Sequence, residues 1–99
     1  MNNPTHPSSM VSVSKDLLRD MIAYKLHQTS RLPAGTRHIL TLSKTSMGPI
    51  YADICKYITF FDRRIMALDL IENVYGYTII QSSVNSNNQT LRITYTLMP

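Results

Sequence analysis

The chain has 99 residues, enough for one domain with a real but modest core. Apolar residues make up 43%, with two Phe, six Tyr and no Trp, which excludes a globally disordered chain; no apolar run approaches the length of a membrane span. Ten Lys and Arg against six Asp and Glu give a net charge of +4, and the single cysteine, Cys55, excludes an intrachain disulfide and a cysteine zinc cluster.

Residues 1–11 contain Pro4 and Pro7 among Asn, Ser and Thr and read as a flexible N-terminal arm, with 12–99 as a single compact α+β domain. The arm lacks a positive segment followed by an apolar core, so no secretory signal is read there. With one cysteine, the expectation is an intracellular protein of cytoplasm or nucleus. Val13 to about Gln28 has helical periodicity: Leu17, Met21 and Tyr24 share a face that Leu18, Ile22 and Leu26 widen. Ser14 fits an N-cap, and Asp16 suits the first turn. The stretch TSRLPAGTR, with Pro33 and Gly35, is a loop, and His38 to Ser43 alternates as a short strand.

A second helical region starts near Gly48-Pro49, with Ile50, Ile54, Tyr57 and Ile58 on one face and Asp53 and Lys56 opposite. Thr59-Phe60-Phe61-Asp62 fits a variant capping box, which suggests a break and a new helix from Phe60 to Tyr75 ended by Gly76. One longer helix over 48–75 is the alternative. In the last segment Leu91, Ile93, Tyr95 and Leu97 alternate with Arg92, Thr94 and Thr96, as in a strand with one buried face. Tyr77 to Val84 is its partner, and Asn85 to Asn88 the turn. The expected fold is therefore three helices with a short strand and a C-terminal β-hairpin. That order resembles the order of a winged helix, with 50–58 as support helix, 60–75 as recognition helix and 85–88 as wing tip.

The charges favour a phosphate-rich partner, because no acidic residue occurs from Met21 to Ala52. The loop RLPAGTRH places Arg31, Arg37 and His38 around a turn, Lys25 precedes it and Lys44 comes after the strand, so these five are expected to converge as phosphate contacts. Arg63 and Arg64, at the start of the third helix, complete the candidate set. Base reading by that whole helix is disfavoured. At about 100° per residue its buried side is Ala67, Leu68, Leu70, Ile71, Val74 and Tyr75, leaving Asp62, Ile65, Asp69, Glu72 and Asn73 outward.

Enzymatic readings are thin. Cys55 has no flanking basic pair and reads as packing, the three histidines are scattered, and Gly35, Gly48 and Gly76 are isolated, without nucleotide-cradle spacing. Asp16, Asp20 and His27 form a stripe better read as solvated than as metal-binding. No cofactor, metal or small-molecule substrate is evident. Two expectations remain. One is a non-enzymatic accessory protein that binds DNA or RNA mainly through phosphate contacts. The other is a structural or protein-interaction module that forms a homo-oligomer through its C-terminal hairpin, for which the terminal strand TLRITYTL offers an edge blocked by nothing but Arg92.

Overall fold

The computed structural model describes residues 7–29, 31–84 and 90–97. It is an α+β structure in which helices cover one face of a three-stranded antiparallel sheet. The long helix α1 spans Pro7–Thr29. It begins before the expected Val13, so residues 7–11 of the expected arm are helical; nothing in Met10 to Val13 breaks a helix, and proline is comfortable in a first turn. Ser14 is consequently a buried helix-interior residue, 4% exposed, and not a cap. Its column, Ser14, Leu18, Ile22 and Leu26 at i, i+4 spacing, is the face packed inward. Leu17 and Tyr24, expected on the buried side, are exposed at 38% and 67%. The apolar surface of α1 is wider than the area the rest of the chain covers.

Strand β1 (Arg37–Leu42) leads into a short helix, α2 (Lys44–Met47), that the periodicity did not reveal. Ser43 starts it: its Oγ accepts from the Ser46 backbone N–H at 3.2 Å, while Ser46 Oγ donates back to the Thr41 carbonyl at 2.6 Å. Helix α3 (Ile50–Cys55) comes directly after Pro49, and α4 (Phe60–Asp69) is separate. Thr59 caps α4 as the sequence suggests, accepting from the Asp62 N–H at 3.1 Å. The region 48–75 is thus not one helix.

At Leu70 the helix widens into a π-helical segment, Leu70–Val74, in which the Tyr75 N–H reaches the Leu70 carbonyl at 2.9 Å. The wider turn shifts the residues toward its end, Val74 among them, off the α-helical wheel. Val74, expected in the core, is 63% exposed, whereas Ala67, Leu70 and Ile71 are buried. Gly76, at φ +70°, then reverses the chain, and the Tyr77 N–H closes on the Ile71 carbonyl at 2.8 Å.

Strands β2 (Thr78–Val84) and β3 (Leu91–Thr96) form the expected hairpin; its expected tip, Asn85 to Asn88, lies outside the described residues. The strand order is β1-β3-β2, so β3 is central, with Leu40 opposite Ile93 on one side and Ser82 opposite Ile93 on the other. This corrects the reading of TLRITYTL as an open edge: the basic, Ile-bearing strand β1 satisfies its second row of backbone groups. The edges are β1 and β2, and β2 is irregular at Ile80, which lies between the paired Ile79 and Gln81. The register puts Leu40, Leu42, Leu91, Ile93 and Tyr95 on the helix-covered face and Ile39, Thr41, Arg92 and Thr94 on the other.

Candidate functional site

The strand direction separates the basic residues that the sequence groups together. Arg37 opens β1 opposite Thr96, and the preceding loop is tied there by the Gly35 N–H to the Leu97 carbonyl at 3.0 Å. Lys44 lies beyond the other end of β1, where Leu42 faces Leu91. Six strand residues set these ends roughly 20 Å apart. Arg31, in the loop before β1, and Arg37, at its start, are both exposed and do not converge with Lys44. Lys25 is half-buried between them, in a shallow hollow that includes Ile39, Thr41 and Ser46. His38 turns toward the core: its ring lies 5.8 Å from that of Tyr95, and its Nε2 is buried without a hydrogen-bond partner among the described residues. The even positions of β1 face the helices, a consequence of register that excludes His38 from the exposed basic surface.

Arg63 departs most from expectation. It is 7% exposed and lies off the open surface where a flanking cation is expected. One turn after the Thr59 cap, its Nε donates to the Thr59 carbonyl at 3.4 Å. Its Nη1 donates to Tyr51 Oη at 3.0 Å and to Cys55 Sγ. Tyr51 and Cys55 stand one turn apart on α3, so both side chains meet the same guanidinium. The guanidinium carbon also lies 5.5 Å from the ring centroids of Tyr51 and Phe60. None of these partners carries a formal negative charge. Burial pushes the Tyr51 hydroxyl above the ordinary tyrosine range, and the positive charge of Arg63 opposes that shift. Arg64, the remaining candidate, is half-buried and bridges α4 to β2, its Nε donating to Ser82 Oγ at 3.3 Å.

Arg63 lines an open cavity of about 570 Å³ with Tyr51, Cys55, Lys56, Lys44 and Thr90. Cations from α2, from the end of α3 and from α4 thus meet in one place, and no carboxylate among the described residues lines the cavity. Lys56 Nζ approaches Asp53 at 3.5 Å, but both side chains are about 70% exposed, and such a pair is worth little in water. Thr90 is shared with a smaller hollow of about 200 Å³ that includes Ser83, Val84 and Arg92. Neither Lys56 nor Arg92 belongs to the binding set expected from the sequence. Lys56 fits the helical pattern of a solvated face, and Arg92 is an isolated charge until the register sets it opposite Thr41, two residues before Ser43.

Among the described residues, no group of three or more His, Cys, Asp or Glu is arranged to hold a metal ion, and no helix is long and apolar enough to cross a membrane. Comparison with protein-family models, with curated proteins and with solved structures finds no match to this chain.

Proposed function

We propose that this protein binds DNA or RNA through phosphate contacts, without enzymatic chemistry, at the end of the molecule where β1 gives way to α2. The observation that carries this reading is the gathering of Lys44, Lys56 and Arg92, three exposed cations from three elements, around Thr90 at the root of the hairpin. The element order, with the hairpin following α3 and α4 along the chain, is consistent with a winged-helix-like use of that end. Asp62, Asp69 and Glu72 remain exposed along α4 and its π-helical continuation, so contacts to backbone phosphates fit better than base reading by that face. Arg31 and Arg37 form a second, separate basic end.

The test is a salt titration of binding to random duplex and single-stranded oligonucleotides. Changing Lys44, Lys56 and Arg92 together to Ala lowers the slope of log affinity against log salt by about two to three units, while Arg31→Ala with Arg37→Ala has the smaller effect. Unchanged affinity in the triple variant removes the proposal.

A second reading, a protein-interaction module that self-associates, is favoured by Phe61 and Ile65, exposed at 65% and 48% one turn apart on α4 and framed by Asp62 and Asp69. Light scattering run beside the titration distinguishes the two: stable association without nucleic-acid affinity supports this one.

A further inference from the structure

The cavity above Arg63 has chemistry of its own. A guanidinium on a residue only 7% exposed normally has a carboxylate or phosphate beside it, because removing the charge from water is expensive and neutral acceptors compensate only in part. Here the acceptors are a phenol, a thiol and a backbone carbonyl. The missing counter-charge has an obvious place to sit. Arg63 faces an open cavity whose other charged lining residues are Lys44 and Lys56. The lining also carries the hydroxyl of Thr45, a further donor for an anion with several terminal oxygens.

We infer that this cavity is a binding site for a phosphomonoester group attached to a small organic body. Arg63 supplies a fixed, planar donor at the floor, and Lys44 and Lys56 supply mobile charge at the rim. A doubly charged monoester matches three converging cations better than a single carboxylate does. A volume of about 570 Å³ exceeds what bare phosphate fills and lies in the range of small-molecule sites. Tyr51 and Ala52 offer that body an apolar wall. The monoester has two sources, a free compound such as a nucleoside monophosphate or the 5′-phosphate end of a polynucleotide. An internal diester, continued by chain on both sides, meets only the rim lysines.

Arg92 separates this site from the nucleic-acid reading, on which it does not depend. Arg92 lies in the neighbouring hollow and does not line this cavity, so Arg92→Ala weakens polynucleotide contacts while leaving the site intact.

Cys55 provides the readout. It is the only cysteine, it lines the cavity, and intact-mass spectrometry tracks its alkylation by iodoacetamide as one adduct. The probes are adenosine 5′-monophosphate, adenosine, sodium chloride at matched ionic strength, and one oligonucleotide with either a 5′-phosphate or a 5′-hydroxyl. At roughly ten times its Kd, adenosine 5′-monophosphate slows alkylation about tenfold, since only unliganded protein exposes the thiol. Adenosine and the salt control leave the rate unchanged. Lys44→Ala with Lys56→Ala, both at exposed positions, reduces the ratio of unprotected to protected rate toward one; Arg63→Lys does the same if it folds, and the lysine pair carries the test if it does not. Protection by the phosphorylated oligonucleotide but not by the free nucleotide supports the site with a strand end as its source. Absence of saturable protection by either phosphomonoester, or equal protection by adenosine, overturns the inference.

Discussion

At the scale of single residues, Arg63 shows how burial changes the meaning of a charge. On a helical wheel it flanks the apolar side of α4 and reads as a surface cation. In the fold, Tyr51, Cys55, Thr59 and Phe60 enclose it. Its removal costs in two ways: a cavity opens between α3 and α4, and the buried Tyr51 hydroxyl loses its partner. Arg63→Ala is therefore expected to destabilise the protein by about 2–4 kcal/mol. Arg63→Met keeps most of the volume and removes the cost of burying a charge, so its loss is the smaller. Urea denaturation of both variants checks the order. An alanine variant as stable as the methionine variant contradicts the packing role of Arg63.

At the scale of elements, backbone pairing separates the strands more sharply than their composition. Thr94, in the middle of β3, faces Ile39 on one side and Gln81 on the other. Proline there deletes a ladder donor between two partners and clashes with the central sheet, so Thr94→Pro abolishes cooperative folding. Ile80 lies in the irregular part of an edge strand and has no assigned partner across the ladder, so Ile80→Pro leaves a folded protein with a lowered midpoint. Circular dichroism melts of the pair test this; equal effects contradict the assignment of β3 as the central strand. The π-helical turn at Leu70–Val74 has a related consequence. It moves Val74 to solvent and brings Tyr75 over α1, where its hydroxyl donates to the Ala23 carbonyl at 3.1 Å.

At the scale of the whole molecule, buried tyrosines couple stability to pH. Burial raises the Tyr95 hydroxyl above the ordinary value of 10.0, opposed by its hydrogen bond with Thr29 and reinforced by Tyr77. Tyr51 shifts the same way for the same leading reason. A raised folded-state value means that the native state retains these protons more firmly than the unfolded chain. The associated stability is complete below pH 10.0, the unfolded value, and is lost as pH rises through the higher folded values. The urea midpoint is thus expected to fall steeply at alkaline pH above that point. Tyr95→Phe, though less stable at neutral pH, shows a shallower alkaline fall; an identical fall in that variant contradicts the linkage.

The hairpin, the capped start of α4 and its glycine stop were legible in the sequence because each rests on neighbours within a few residues. Leu91, Ile93, Tyr95 and Leu97 alternate, Thr59 reaches Asp62, and Gly76 takes a left-handed turn wherever the chain goes next. The inner face of α1 was half legible: the apolar residues were there, but two adjacent stripes competed, and only the position of the sheet selects Ser14, Leu18, Ile22 and Leu26 over Leu17 and Tyr24. The candidate site was decided almost wholly by tertiary structure. Lys44, Lys56 and Arg63 are separated by 12 and 7 positions, and β1 is long enough to carry Lys44 away from Arg37. Local sequence fixes which groups carry charge; how far a strand runs, and which strand it pairs with, fixes which of those charges meet.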